Sequence, residues 1–488
     1  MSEVKDTDYA INYLVSALEG VSGMQDFEQG ESKLNQSAEA SLCTIFRRYI
    51  TGNEDNVEHI FLSANNSTNL YLYDGKCYQQ VDDEKLRYVI MSVMQKMGMN
   101  DIYTNNSSKK ISDNCALVLR CDTDLKFHAD RRYAIFNNCV LDLMDFTIKE
   151  HSIDYRSDLR FNFDYNPNAY SELWTEKLSE TIVDESMRTV FQEFMGSLLD
   201  CRKFKIEYAL FMIGPVGQNG KSLIVKSILR IFDGNLISNF DFQKLFKATN
   251  SEYYIAECDG KVANIVDELD YKDFSGGDFK AFVSNDEFSA RPPYGRPYKT
   301  KSLPKLICNV NHMPPVTDDS GGFERRILPI RCPNLITDKN RDETLEEKMR
   351  AIPVKQAIFN WILEGYKRVV ANNGKILLSQ TMIDMRKDIM ADTNSARRWL
   401  DEKFYVSCEP NGDYDSRWKS MVDIMREYKQ FCMDYGYNSV SAKGVGRVLN
   451  RLGFKKKHTR TGSFYCIDIR EDIKTEEENQ MEADNLPF

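Results

Sequence analysis

Residues 214–222, with the sequence GPVGQNGKS, follow directly after the apolar run YALFMI. Glycines placed in this way let backbone N–H groups curl around phosphate oxygens. The amino group of Lys221 would reach the β- and γ-phosphates of a nucleotide, and the hydroxyl of Ser222 would bind Mg²⁺. A helix beginning at this point would direct the positive end of its dipole towards the phosphates. The segment therefore predicts a site for ATP and Mg²⁺.

The spacing of this phosphate loop departs from the usual G-x-x-x-x-G-K-[ST] pattern. Pro215 stands where the first glycine is expected, and Gly214 lies one residue too early. The alternative, a plain glycine turn between a strand and a helix, would not require lysine and serine at the start of the helix. The residues predicted to contact the nucleotide are Gly214, Gly217, Gln218, Asn219, Gly220, Lys221 and Ser222.

Hydrolysis also needs a second motif, which must be acidic. The segment VANIVDELD supplies one, as an apolar strand that ends at Asp267 and Glu268. Asp267 would hold the magnesium ion together with Ser222, and Glu268 would orient and polarise the attacking water. The alternative is a strand that runs into a solvated acidic loop. The distance from the phosphate loop, which leaves room for a helix and a strand, favours the catalytic interpretation.

Two further segments carry polar groups next to apolar strands. In PKLICNVNHMPP, Asn311 follows a strand and would contact the γ-phosphate and the water, unless it simply forms a turn before the prolines. In GGFERRILPI, Arg325 and Arg326 precede a strand. An arginine there can enter the site of a neighbouring subunit and stabilise the charge of the transition state. Arg326 is the preferred candidate because it directly precedes the strand; the alternative is a pair of surface arginines in a salt bridge.

Taken in order, GxNGKS, VDE, ARPPYGRPYKTKS, LICNVNHMPP and FERRILPI resemble the superfamily 3 helicases, and more narrowly the poxvirus and phage/plasmid helicase–primase family. The resemblance covers residues 130–335 and continues more loosely to about residue 470. It implies an AAA+ ATPase that forms a hexameric ring and moves 3′ to 5′ along single-stranded DNA in a central channel. We find no set of primase metal-binding acids in residues 1–130, so a primase or polymerase would belong to a separate chain.

The resemblance also implies a hairpin that projects into the channel, within SNDEFSARPPYGRPYKTKSLPK. Cations there would follow the phosphates and the tyrosine could stack on a base. A solvated basic hairpin is the alternative. The residues predicted to contact DNA in this region are Lys280, Arg291, Tyr294, Arg296, Lys299 and Lys301.

A second basic cluster extends from Lys443 to Gly462 without any Asp or Glu. A helix, the run KKKHTRTG and a strand resemble a winged helix, which could bind duplex DNA at an origin or dock on another protein. The residues predicted to contact phosphates in this cluster are Arg447, Arg451, Lys455, Lys456 and Arg460.

The 488 residues are enough for several domains. The patterns predict an N-terminal α+β region at 1–170, an α/β ATPase domain of the AAA+ type with a parallel sheet at 171–375, and a C-terminal winged-helix-like domain with an acidic tail at 376–488. Local signals include a helix at Tyr9–Leu18, a hairpin turn at Asp74-Gly75 and a helix capped by Asp184.

Composition excludes several other classes of protein. The net charge of −10 argues against a nonspecific nucleic-acid coat protein. The twelve cysteines contain no CxxC pair, which disfavours structural zinc. No apolar run reaches the roughly 18 to 20 residues of a membrane span, and the acidic N-terminus is unlike a secretory signal, so we expect a cytoplasmic protein that does not contact a membrane.

Two functions from other classes compete with the helicase. An origin-binding initiator would use ATP for assembly, bind duplex DNA through the C-terminal domain and unwind little. A P-loop kinase or small-molecule NTPase would be a monomer with turnover independent of DNA, and it would leave Arg326 and residues 291–301 without a role.

Overall fold

The computed structural model has a mixed α/β architecture built around a five-stranded parallel sheet, as the sequence predicts at this level of detail. The residues it describes are 7–19, 21, 36–52, 58–63, 69–99, 105–122, 130–214, 219–267, 276–293, 295–311, 313, 322–334, 342–393, 395–403, 405–410, 416–435 and 439–469.

The described part of the N-terminal unit packs four helices and a three-stranded antiparallel sheet around its own apolar core. The predicted first helix and the hairpin turn at Asp74-Gly75 are both present, and Gly75 has the φ of +97° that favours glycine. The elements are α1 (Asp8–Leu18), α2 (Gln36–Thr51), β1 (Phe61–Ser63), β2 (Leu70–Tyr73), β3 (Tyr78–Val81), α3 (Asp83–Lys96) and α4 (Asn105–Cys121).

A small antiparallel sheet follows and packs into the core of the central unit, whereas the sequence-based boundary lies at residue 171. The Phe136 and Phe161 rings each lie 4.7 Å from the ring of Phe359 on a central helix. Edge-to-face aromatic packing of this kind adds to the area that is buried. The strands are β4 (Tyr133–Ile135), β5 (Val140–Asp142) and β6 (Ile148–Lys149).

The central sheet contains the strands predicted from the apolar runs VANIV, PKLICNV and RILPI. Its order is β13-β7-β12-β9-β8, and all neighbours are parallel. Its elements, with the hairpin that precedes β12, are β7 (Ala209–Ile213), α7 (Lys221–Leu229), β8 (Ile237–Ser238), α8 (Phe242–Phe246), α9 (Ser251–Cys258), β9 (Ala263–Val266), α10 (Gly276–Val283), β10 (Phe288–Ala290), β11 (Tyr298–Thr300), β12 (Lys305–Val310) and β13 (Ile327–Arg331).

The parallel direction of these strands gives the sheet two different edges. Gly214, Asp267 and Asn311 each follow the end of a strand, so they lie at the carboxyl edge. The β10–β11 hairpin and Arg326 precede strands, so they lie at the amino edge. A five-residue strand such as β13 spans roughly 16 Å, which sets the distance between the two edges.

Helices that come before and after the strands of the sheet in the sequence complete the central core. In α6, Asp184 caps the start by accepting the Met187 N–H at 2.9 Å, as predicted. The helices are α5 (Glu172–Thr181), α6 (Glu185–Gly196), α11 (Leu345–Met349), α12 (Ile352–Ala371) and α13 (Gln380–Thr393).

In its described residues, the C-terminal unit has three helices and four strands around its own core. The hydroxyl of buried Tyr428 lies 2.6 Å from Ser395 Oγ and accepts the Val440 N–H at 2.9 Å. The elements are α14 (Ser395–Glu402), β14 (Tyr405–Ser407), β15 (Trp418–Ser420), α15 (Met421–Tyr435), α16 (Ala442–Arg451), β16 (Lys456–Thr459) and β17 (Gly462–Ile469).

In the part of the chain that the structure describes, no helix combines the length and the apolar content needed to cross a membrane.

Helices α6 and α12 cross so closely that a side chain does not fit between their backbones. A Cβ on Gly365 would lie 2.1 Å from the Gln192 carbonyl oxygen, whereas one on Gly277, in helix α10, would meet nothing within 4 Å. We expect Gly365→Ala to lower the free energy of unfolding by about 2 kcal/mol, because the helices must separate. Gly277→Ala is the control and should leave stability unchanged or higher. Thermal denaturation of both variants tests this, and equal melting temperatures would contradict it.

Candidate nucleotide site and basic hairpin

The two described ends of the phosphate loop meet above strand β7. The Gly214 N–H donates to the Val310 carbonyl at 3.2 Å, and a Cβ on Gly214 would lie only 1.7 Å from Asn219 Nδ2. Gly220 has a φ of +78°, a conformation that favours glycine, and helix α7 begins at the next residue. Two predicted nucleotide contacts, Gly217 and Gln218, lie outside the described residues.

The Lys221 side chain is buried in the site and held by hydrogen bonds. It is only 6% exposed, and its ammonium donates to the carbonyls of Gly214 and Val310 at 3.1 and 3.0 Å. It also reaches Asn311 Oδ1 at 3.2 Å. Burial lowers the pKa of Lys221 from its usual value, since the charged form loses hydration. The structure therefore brings the predicted phosphate-binding lysine and the predicted polar sensor into contact.

Asp267 lies at the end of β9 and faces helix α7. Its Oδ2 pairs with Lys226 Nζ at 3.1 Å, and its Oδ1 accepts from Asn309 Nδ2 at 3.0 Å. Lys226 is four residues after Ser222, so the two side chains share one face of the helix. The Asp267 carboxylate consequently lies beside the face that carries the exposed Ser222 hydroxyl.

This donor set suits a magnesium ion. Carboxylate and hydroxyl oxygens are the ligands that Mg²⁺ takes beside nucleotide phosphates. Asp267 is half exposed, so its carboxylate can accept an ion from solvent, and the Oδ1 of buried Asn309 has no hydrogen-bond partner among the described residues. Glu268, predicted to orient the attacking water, lies outside the described residues.

The two candidate arginines occupy different environments. Arg326 is 8% exposed and donates to Ser284 Oγ at 2.7 and 3.0 Å and to the Gly322 carbonyl at 2.9 Å. Its guanidinium also lies 3.8 Å from the Glu207 carboxylate. Arg325, in the same 3₁₀ turn, is exposed. The preferred candidate from the sequence is thus held within its own chain, and its neighbour faces solvent.

The predicted basic hairpin is present as β10 paired antiparallel with β11. Lys299 pairs with Glu287 at 3.2 Å, and Arg291 turns back to the Gly295 carbonyl at 3.3 Å. Arg296 and Lys301 are exposed, and neither has an ion pair with a described residue. Two further residues were predicted to contact DNA. Lys280 is partly buried on α10, and Tyr294 lies outside the described residues.

The basic cluster of the C-terminal unit lies on α16 and on the β16–β17 hairpin. Ser441 caps α16, and Arg447 and Arg451 lie one turn apart on its exposed face. On the hairpin side, Lys455 pairs with Glu409 at 3.0 Å and Lys456 lies 5.7 Å from the Tyr465 ring.

Arg460 lies in the turn between the two strands of this hairpin and is exposed. Three helices followed by a hairpin are compatible with a winged helix, but that identification stays a prediction.

Two residues of the candidate nucleotide site were not predicted from the sequence. Asn309 is a polar residue inside the apolar run LICNV, two positions before Asn311 and therefore on the same face of the strand. That break in the pattern was a signal for it. Lys226 carried no such signal, because a lysine in helix α7 reads as a solvated position until its partner is known.

Two family models match parts of the chain. Residues 44–183 match the family described as D5 N terminal like, and residues 212–326 match a family of unknown function, DUF5906. The second match covers the phosphate loop, Asp267 and the hairpin. A comparison with curated proteins found no match.

Among solved structures, the apo structure of the NrS-1 C-terminal region is 12% identical, with a TM-score of 0.45, over 84% of this chain and 95% of that one. Two A-form apo structures of the same region are also 12% identical, with TM-scores of 0.41, over 82% of this chain and 94% of theirs. These likenesses are too weak to assign a shared site. The two family matches are more informative, since regions of both families are found in primase–helicase proteins of phages and viruses.

Proposed function

We propose that the chain is an ATP-dependent DNA helicase that acts in the replication of a phage, virus or related mobile element. One observation carries the proposal. The groups that would bind ATP lie at the carboxyl edge of the sheet, and the exposed arginine and basic hairpin lie at the amino edge. Because these two sets of groups lie at opposite edges, a complete hydrolytic site would need groups from two copies of the chain, as in a ring.

At the carboxyl edge, Lys221 would exchange its carbonyl contacts for the β- and γ-phosphates of ATP. Asn311, already 3.2 Å from Lys221, would contact the γ-phosphate and the attacking water. Asp267 and Ser222 would hold Mg²⁺, which supplies charge neutralisation at the transferring phosphoryl group when bound. Glu268 would orient the water for attack on the γ-phosphorus.

At the amino edge, we assign the arginine that acts in the neighbouring site to Arg325. The strand beside it keeps it roughly 16 Å from its own phosphate loop, too far for a contact within one copy. Arg325 is exposed and able to cross an interface, whereas Arg326 is fixed by Ser284 and Gly322. Because Ser284 follows α10, Arg326 ties the arginine turn to the segment that leads into the hairpin.

The hairpin is the proposed contact with single-stranded DNA in the channel. Arg296 and Lys301 are exposed cations that form no ion pair with the residues the structure describes, and such cations bind phosphates with release of counterions. The β10–β11 pairing holds the hairpin as a defined structure, so changes at the amino edge can move it as a unit.

An origin-binding initiator is the second candidate. The exposed arginines on α16 favour it, because a capped helix with cations one turn apart suits the phosphates of duplex DNA. Strong sequence-specific duplex binding without measurable unwinding would favour this function over the helicase. The two candidates share the ATP site.

Of the predictions that follow from the proposed function, the first concerns nucleotide binding. Lys221→Ala should abolish binding of a fluorescent ATP analogue in the presence of Mg²⁺, because the buried ammonium that meets the phosphates is removed. Lys244→Ala, which removes an exposed lysine of α8 paired with Asp241, is the control and should bind normally. Unchanged affinity in the Lys221 variant would remove the phosphate loop from the proposal.

The second prediction separates the two arginines. Arg325→Ala should keep nucleotide affinity and melting temperature but lose about 10³-fold or more of its ATPase rate. Arg326→Ala should instead lower stability by about 1–3 kcal/mol, because Ser284 and the Gly322 carbonyl lose their donor. ATPase assays and thermal denaturation of both variants test this. Normal hydrolysis by the Arg325 variant would show that the arginine is misassigned.

The third prediction tests assembly, using light scattering and ATPase rates on the same sample. ATP with single-stranded DNA should shift the protein from smaller species to a ring, which we expect to be a hexamer, and should raise the ATPase rate. A chain that stays monomeric and ignores added oligonucleotide would favour a small-molecule NTPase instead.

A further inference from the structure

A large cleft of about 1910 Å³ opens at the amino edge of the sheet. Its walls come from strands β2 and β3, from residues 200–208 and from the segment that contains the hairpin. Sites for small molecules usually measure about 300–1000 Å³. This volume, with lining from several separate elements, suits a polymer better than a small ligand.

The turn at residues 200–206 forms one wall and is held rigidly. The Asp200 carboxylate accepts the backbone N–H groups of Arg202 and Phe204 at 2.9 and 2.7 Å. The Ile206 carbonyl accepts from Lys305 Nζ at 2.6 Å. Desolvation lowers the pKa of Lys305 to about 8, because the charged form loses hydration.

Lys203 stands at the tip of this turn in a strained conformation. Its φ is +56°, a region that favours glycine and that a long side chain rarely adopts. Such strain persists only where the surrounding structure imposes it, and it is common at functional positions. The Lys203 side chain is exposed, and it forms no ion pair with any described residue. The turn therefore presents an unneutralised cation to the cleft.

Several carboxylates of the cleft are already engaged by other groups. Asp259 accepts the hydroxyls of Tyr298 and Thr300 at 2.8 and 2.6 Å. Asp158 pairs with Arg131 at 3.1 Å.

Glu207 pairs with Lys205 at 3.0 Å. Within the described part of the cleft, Lys203, Arg296 and Lys301 are exposed cations left without an ion pair.

We propose that Lys203 binds a phosphate of the nucleic-acid strand held by the hairpin, so that the cleft carries the sugar–phosphate backbone across the amino edge of each copy. Arg296 and Lys301 line the same cleft from the hairpin segment, which gives the strand further positive contacts beside Lys203. The inference rests on the proposed function, since it extends the DNA site of the hairpin.

Replacing Lys203 with glycine separates its binding role from a structural one. Glycine adopts a positive φ without strain, so Lys203→Gly should keep or raise the melting temperature. The same change should weaken binding of a fluorescein-labelled oligo-dT, measured by anisotropy at several salt concentrations. The slope of log affinity against log salt should fall by about 0.7, the value for one phosphate contact on a single strand. Lys203→Arg keeps the positive charge, so it should bind with the affinity and the salt slope of the unmodified chain.

Two control variants match the two properties that Lys203→Gly changes, which are the side chain at a positive φ and the exposed positive charge. Asn373→Gly removes another non-glycine residue with positive φ, 52°, without removing charge. Lys387→Gln removes an exposed lysine that pairs with Asp384 on α13. Both should bind the oligonucleotide like the unmodified chain, whereas Lys301→Ala should weaken binding through the hairpin.

The outcomes distinguish the two proposals. If Lys203→Gly binds with unchanged affinity and salt slope while Lys301→Ala is weakened, the hairpin stands and the role of Lys203 is overturned. Equal weakening in Asn373→Gly would also overturn it, because the effect would then come from the backbone. If the unmodified chain does not bind the oligonucleotide, the helicase proposal fails together with this inference.

Discussion

The parallel direction of the five central strands is the constraint on which the rest of the molecule depends. Because each strand runs the same way, everything that follows a strand collects at one edge and everything that precedes a strand collects at the other. Lys221, Asn311 and Asp267 meet at the first edge through this rule alone. Arg325, the hairpin and the turn at residues 200–206 meet at the second. A helix-rich or antiparallel arrangement of the same segments would mix these groups.

The charged groups at the carboxyl edge are engaged by neighbouring polar groups of the chain. The Lys221 ammonium uses two carbonyls and Asn311, and the Asp267 carboxylate uses Lys226 and Asn309. Burying a charge without partners is costly, so these contacts hold the side chains in place. Under the proposed function, phosphates and a cation would replace them. The pair between Lys226 and Asp267 is half exposed and therefore weak, so under the proposed function it would yield to a divalent ion.

The amino edge combines rigidity with exposed charge. Arg326 is buried, Lys305 is partly buried, and both hold neighbouring backbone in place through their hydrogen bonds, while Arg325 and Lys203 are exposed. A fixed cation loses less conformational freedom when it meets a phosphate than a mobile one does. The strain at Lys203 is consistent with this, since the internal contacts of the turn outweigh the unfavourable φ.

The amino-acid sequence by itself determined the local features. The glycines and Lys221 define the loop, apolar runs define β9, β12 and β13, and Asp184 defines the start of a helix, because these depend on neighbours a few residues away. Only the tertiary structure decided which of two adjacent arginines is exposed, since Ser284, which holds Arg326, is 42 residues distant. It also decided that residues 134–163 join the central core and that Lys203 faces a cleft. Such properties arise from packing between segments that are remote in the chain, and the local pattern does not encode them.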